Sequence, residues 1–271
     1  KITKKTKVIL PVHFAGMPCN MDKITKIAKK YKLHIVEDCA HAIESKFNNK
    51  STGTFGESGC FSFYANKNIT TGEGGMLITN NKKLYELTKT LRLHGMSKDA
   101  WKRFGHKTEK KISYNYYDVV KIGYKYNMTD IMASMGIAQL NKIEKMWQER
   151  KSIYNFYLKE LRNLPIKFQV NQNYKIKHGY HLFVFIIKDN KINRSKLLNY
   201  LNKKGIGATV HYNDLRKFSA YRKIFSLKKD AMPISKNVCE NIVSLPIYPG
   251  LRKNEQLHIV KTLKFFFKVN V

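Results

Sequence analysis

Acidic residues are scarce in this chain. It carries 19 Asp and Glu against 51 Lys and Arg, a net charge of +32 over 271 residues. That imbalance raises nucleic acid or an anionic membrane as partners. The basic residues are scattered among Asn and Ile instead of gathered in one block, and Lys greatly outnumbers Arg, whose planar fork suits base and phosphate recognition. The charge therefore reads as compositional bias, with a mild attraction for phosphate-bearing substrates as its consequence, and a nucleic-acid function is disfavoured. Cysteine is scarce too. Cys19, Cys39, Cys60 and Cys239 are widely spaced and form no CxxC pair, so neither a zinc site nor a disulfide framework is indicated. Free thiols in a reducing compartment are the expectation. Long apolar runs are missing: no stretch of about 18 residues would make a membrane span. The basic residues 1–7 are followed by no signal core, because Pro11, His13 and Gly16 interrupt the apolar stretch. A cytoplasmic location is expected.

With 43% hydrophobic residues, the chain can bury one large or two modest cores. Residues 8–12 read as a short strand. Residues 21–31 read as a helix, with Ile24, Ile27, Ala28 and Tyr31 at helical spacing and Asn20 or Asp22 as cap. Residues 33–36 read as the next strand. Strand, helix and strand within some thirty residues make a βαβ unit and a parallel sheet. Asp38 falls just past the carboxyl end of the second strand, the edge where ligands gather in open α/β sheets. Strands over 61–63 and 76–79, a helix over 82–93 and a long polar, aromatic loop over 96–117 follow. Residues 129–162 form one long helix or two broken ones, capped by Thr129 or Asp130. Met132, Met135, Ile143 and Met146 fall close to one face, as in a core or a subunit interface. Beyond residue 162, a strand over 181–187, a helix over 194–204 ended by Gly205, a strand over 208–212 and a helix over 255–267 suggest a small α+β domain. The expected division is 1–150 and 151–271, with the boundary inside the long helix.

The chain is organised around residues 61–76, FSFYANKNITTGEGGM. An aromatic-rich strand hands over to a turn containing Gly72, Gly74 and Gly75, and Lys67 sits between them. Such a junction fixes the backbone while presenting a side chain in a cleft. A lysine amine attacks a carbonyl only when unprotonated, so it needs a desolvating or electropositive site. On position alone, a loop lysine is a solvated charge. Upstream lies EDCAHA, residues 37–42. Together with FSFYANKN and TGEGG, it resembles the sugar aminotransferases of the DegT/DnrJ/StrS family, which use pyridoxal phosphate (PLP). The resemblance continues in order through VHFAGMPCNMD, LRLHGMSKDAWKRF, GYKYNMTD, GIGATVHY and SLPIYPG, nearly the whole chain.

The resemblance implies an α/β fold of fold-type I: a large PLP-binding domain with a mainly parallel sheet, then a small C-terminal domain. It gives Lys67 the Schiff base with PLP and the proton shuttle, Asp38 the pyridine nitrogen, His41 the ring or its 3-hydroxyl, and Ser62 the phosphate. Asn127 would reach the phosphate of the neighbouring subunit, hence a homodimer with shared sites; Lys125 departs from members with Asn there. His181 and His211 match histidines near the substrate cleft. For each residue a structural role competes: a helix cap for Asp38, a backbone-bonded strand serine for Ser62, a packed ring for the histidines. No metal is implied. The implied reaction moves an amino group from an amino acid, glutamate, to a keto sugar on a nucleotide carrier, for polysaccharide, lipopolysaccharide or glycan synthesis. Family members begin with a longer N-terminal segment that helps cradle the phosphate. Without it, an exposed sheet edge and a half-built PLP site are expected. An inactive or regulatory protein of the same fold is the rival reading. A sugar dehydratase of this fold would carry histidine in place of Lys67.

Overall fold

The computed structural model describes residues 1–96, 118–169, 174–189, 192–224 and 232–270. In chain order it comprises β1 (Val8–Ile9), α1 (Met21–Tyr31), β2 (His34–Asp38), β3 (Lys46–Phe47), β4 (Lys50–Ser51), β5 (Ser58–Ser62), β6 (Gly75–Ile78) and α2 (Lys82–Leu91). Then come α3 (Asp130–Leu140), α4 (Ile143–Leu161), β7 (Ile166–Phe168), β8 (Ile176–Lys177), β9 (Phe183–Ile187), α5 (Arg194–Lys203), α6 (Ser219–Ile224), α7 (Pro233–Asn241), β10 (Ile242–Leu245) and α8 (Lys253–Asn270). Most of the loop expected over 96–117 lies outside the described residues. Among the described residues, no helix is long and apolar enough to cross a membrane.

The N-terminal sheet has the order β1-β2-β5-β6. The first three strands run parallel and β6 returns antiparallel to β5. The expected βαβ unit is thus present, with α1 as its crossover. Asn20 caps α1, its side chain accepting from the Lys23 amide at 3.1 Å. Asp22 in the first turn and Lys29 and Lys30 in the last complement the helix dipole. The expected strand over 8–12 is shorter, because Pro11 donates no ladder hydrogen bond; Val12 still bridges Asp38 in parallel.

The stretch 129–162 is two helices. Thr129 caps α3, accepting from the Met132 amide, and the chain is broken at Asn141–Lys142 before α4. α4 packs with the C-terminal half: Ile153, Tyr154, Tyr157 and Leu161 join β7, β9, β10, α5 and α8 in one core. There β10, β9 and β7 form an antiparallel sheet. The strand expected over 208–212 does not form; Thr209 alone bridges Ser244. The strand beside β9 is β10, which pairs with Phe183–Ile186.

The two halves meet through close backbone contact. The Gly179 amide donates to the Gly16 carbonyl at 2.8 Å, and the His181 amide donates to Ala15 at 3.1 Å. Gly16 has φ +94°, and a Cβ there would lie 2.8 Å from the Tyr180 amide. Glycine is therefore required for this approach, and the approach sets residues 179–181 against the residues that follow β2.

Candidate active site

The sheet register determines which side chains share the site. Asp38 is the last residue of β2 and pairs with Cys60 of β5. Ser62 lies two residues beyond Cys60, so it shares the face of Asp38 at the carboxyl edge of the parallel strands. The chain then turns, and Lys67 follows half-buried, its amide donating to the Tyr64 carbonyl at 3.0 Å. Burial lowers the pKa of Lys67, and the negative charge of Asp38 partly opposes that shift. The same Asp38 charge is felt at His41 and at Tyr212, which touch each other. Asp38 Oδ1 accepts from the Ala40 amide at 3.0 Å; its Oδ2 has no hydrogen-bond partner among the described residues.

The His41 ring is buried, accepts from the Ala15 amide through Nδ1 at 3.3 Å, and meets the Tyr212 hydroxyl through Nε2 at 3.2 Å. Its centroid lies 4.3 Å from that of His181. His181 Nδ1 is 2.9 Å from Asn68 Oδ1, and His211 Nδ1 is 2.8 Å from Ser244 Oγ. Desolvation, with Lys67 next or close behind, holds all three rings below the usual histidine value: His41 down to about 4, His181 to about 2, and His211 in the same direction. Three neutral imidazoles beside an amine suit Lys67 to work unprotonated.

A cavity of about 950 Å³ opens between the Lys67 loop and the C-terminal half. Lys67, His181 and His211 line it with residues of 205–209 and 244–259. Asp38, His41 and Ser62 are not in that lining. Ser62 Oγ accepts a long contact from the Tyr64 amide at 3.4 Å, which leaves its hydroxyl free for a stronger acceptor. Asn127 is elsewhere: on the loop before α3, its Oδ1 accepts from Lys125 Nζ at 2.6 Å, outside the cleft lining.

These groups fit pyridoxal phosphate: an amine with a lowered pKa, a carboxylate oxygen without a partner among the described residues at the strand edge, and a lightly engaged serine hydroxyl on the same face. A metal does not fit the one cluster spaced for it among the described residues, His13, Glu37 and Cys39. Glu37 is fully engaged, Oε1 by the amides of Phe55 and Gly56 and Oε2 by Gly53 and His13 Nε2. His13 Nδ1 already accepts from the Cys19 amide at 3.0 Å. This cluster fastens the 53–56 loop.

Sequence reasoning missed Asn68, Glu44, Arg150 and Tyr212. One signal was available for Arg150. Trp147, Arg150, Tyr154, Tyr157 and Leu161 follow helical spacing, so an arginine sits in an apolar stripe and must be paired inside. Its partner is Glu44.

The sequence profile of the DegT/DnrJ/EryC1/StrS aminotransferase family matches residues 1–264. The chain is 45% identical over 265 residues to the uncharacterized protein MJ1066 of Methanocaldococcus jannaschii, covering 97% of this chain and 67% of that protein. It is 33% identical over 270 residues to the spore coat polysaccharide biosynthesis protein SpsC of Bacillus subtilis, 98% of this chain and 68% of that one. The structure superposes on the putative sugar aminotransferase Spr1654 of Streptococcus pneumoniae, PMP-form, with TM-score 0.90 and 29% identity, covering 100% of this chain and 71% of that chain. Spr1654 has also been solved in a PLP-form. The chain belongs to the DegT/DnrJ/EryC1/StrS aminotransferase family, whose members are sugar aminotransferases with pyridoxal phosphate as cofactor.

Proposed function

We propose that the protein transfers an amino group from an amino acid, glutamate, to a keto sugar on a nucleotide carrier, for the synthesis of a polysaccharide, lipopolysaccharide or glycan. The observation that carries this reading is the desolvated Lys67 amine, which feels the charge of Asp38 and lines a cavity large enough for a sugar. SpsC, named for polysaccharide biosynthesis, supports the destination of the product. The surplus of positive charge favours a phosphate-bearing carrier.

When bound, pyridoxal phosphate supplies the electron sink that labilises bonds at the amino-bearing carbon. The chain supplies the rest. Lys67 would hold the cofactor through its amine, and the same amine is placed to move a proton. Asp38 would pair with the ring nitrogen and keep it charged. Ser62 would donate to the phosphate, and His41, neutral, would pack beside the ring. Residues 1–150 form the cofactor-binding part and 151–271 the small domain.

The lysine assignment is tested by borohydride reduction of the full gene product with PLP. The label is expected on the peptide containing Lys67 and absent from Lys67→Ala. A label on another lysine overturns the assignment.

Assembly follows from Asn127. Its place before α3, outside the cleft of its own chain, supports a homodimer in which it serves the neighbour's phosphate. α3 supports the same reading. It is the one described α-helix without Lys or Arg, in a chain that holds 51 of them. Two highly basic subunits would meet most readily there. Mixing Lys67→Ala subunits with Asn127→Ala subunits should restore up to about half of wild-type activity per mixed dimer, since one site then carries neither lesion. If subunits exchange and activity stays absent, each site is built within one chain.

A further inference from the structure

A buried polar chain runs from the cleft to α4, and the reaction as described does not use it. Arg150 gives its guanidinium to Glu44 Oε1, with both side chains 3% exposed. Glu44 Oε2 accepts from Asn68 Nδ2 at 2.8 Å, and the same Nδ2 donates to the Gly179 carbonyl at 2.8 Å. Asn68 Oδ1 meets His181 Nδ1 at 2.9 Å. The orientation of the Asn68 amide is thereby fixed by chemistry: turned over, its oxygen would face two acceptors and its nitrogen would face the imidazole. An oxygen that can only accept requires the proton on His181 Nδ1.

We propose that Asn68 is a positioning residue that locks His181 in the Nδ1–H tautomer, leaving Nε2 on the cleft wall as the acceptor for a hydroxyl of the sugar substrate. No described residue hydrogen-bonds to His181 Nε2, and the ring lines the cavity together with Lys67 and His211. The neighbouring ring shows that the choice is local. His41 accepts the Ala15 amide through Nδ1, so its proton lies on Nε2 and is donated to the Tyr212 oxygen. Two imidazoles whose centroids are 4.3 Å apart thus carry opposite tautomers, each set by its own backbone or amide partner. A sugar brings several hydroxyl donors, and a bare imidazole nitrogen is a neutral acceptor for one of them. A carboxylate in its place would raise the pKa of Lys67 and oppose its work as a free amine. Asn68 also follows Lys67 directly, so one buried amide pins both the lysine turn and the histidine.

The tautomer is read on the unsubstituted protein, a variant serving only to assign the ring. Long-range proton–nitrogen spectra of the full gene product without cofactor, with His181 assigned through His181→Gln, should show His181 protonated at Nδ1 and bare at Nε2. Protonation at Nε2 overturns the proposal. Asn68→Asp then tests the cause. The new carboxylate should draw a second proton onto His181, although His41, Lys67, Arg150 and His211 face the ring and oppose it, so the ring should become charged at a higher pH than in the wild type. An unchanged titration overturns the role of Asn68.

The acceptor function rests on the sugar transamination proposed above. In Asn68→Asp, kcat/KM for the keto sugar should fall roughly tenfold or more, mainly through KM, because the hydroxyl loses its acceptor. A loss confined to kcat with KM unchanged overturns the hydroxyl contact. A wild type inactive on every keto sugar would overturn the reaction and the acceptor role, while the tautomer, measured on the protein alone, is judged separately.

Discussion

The C-terminal core and helix α3 use the same kinds of residue to opposite effect. Tyr157, Phe183, Phe185, Leu197, Leu201 and Leu263 are fully buried, and they come from one sheet and three helices of the same chain. α3 carries Ile131, Met132, Met135, Ile137 and Leu140 in eleven residues and buries none of them; Ile131 is 75% exposed and Ile137 65%. Helix α2, with Tyr85 and Leu87 exposed, buries none either. The difference is one of cover. The core has opposing elements within the chain, whereas the apolar residues of α3 run round the whole helix, a pattern that belongs inside an assembly. An apolar stripe in a sequence marks a surface to be buried without naming what buries it.

The largest test of this contrast is a cavity in the core. Phe183→Ala should cost about 3–5 kcal/mol of unfolding free energy, since the ring is fully buried among Tyr154, Tyr157 and Phe168. Chemical denaturation measures it. A cost below about 1 kcal/mol would mean the core relaxes around the gap and is not the rigid half of the molecule.

Next in size is the buried ion pair that ties α4 to the residues after β2. Glu44→Ala leaves Arg150 inside the protein without its counter-charge and should cost about 3 kcal/mol, whereas joint replacement of both residues by apolar ones should cost far less. Denaturation of the single and double variants separates a paired charge from a packing defect. Equal costs would place the effect in lost volume.

That ion pair also shows what was legible beforehand. The βαβ unit could be read because each element obeys one local rule: short apolar runs for the strands, and a period-3.6 pattern with the Asn20 cap for the helix. Asp38 and Lys67 could be singled out because a strand edge and a Gly-rich turn are local too. The resemblance to a known family supplied the role expected of each. The pairings of Glu44 with Arg150 and of Asn68 with His181 span 106 and 113 residues. No local pattern reports a contact at that separation. The strand expected over 208–212 failed for a related reason. That run joins the sheet only at Thr209, whose partner Ser244 lies on β10, an element read before only as part of a motif.

An effect spread over pH, smaller than either substitution per ring and per pH unit, comes from three buried histidines. His41, His178 and His181 are held down to about 4, 3 and 2 by burial, against an ordinary value of 6.5. Between pH 6.5 and 4 the unfolded chain therefore binds more protons than the folded one, and stability falls as pH falls. Each ring contributes a slope of at most about 1.4 kcal/mol per pH unit. Melting temperature should be level near pH 7.5 and decline on acidification through the histidine range, before carboxylates such as Glu37 and Glu57, whose pKa values are lowered, begin to take up protons. A level profile from pH 8 to 5 would show that water reaches these rings in solution.

The smallest effect on the single chain should come from α3, and it is the one that sharpens the contrast. Ile131 and Ile137 touch little within the chain, so Ile131→Glu and Ile137→Glu should each change the unfolding free energy of the monomer by no more than about 0.5 kcal/mol. Their effect should appear in association instead. If two copies bury α3 against each other, a carboxylate placed there is desolvated without a partner, and the dimer dissociation constant should rise on the order of a hundredfold. Sedimentation equilibrium of the full gene product and of each variant gives the constant, and denaturation at low concentration gives the monomer stability. A large stability loss would mean that α3 is covered within the chain. An unchanged dimer constant would move the two-fold interface off α3, and Asn127, which precedes that helix, would lose the neighbour it is proposed to serve.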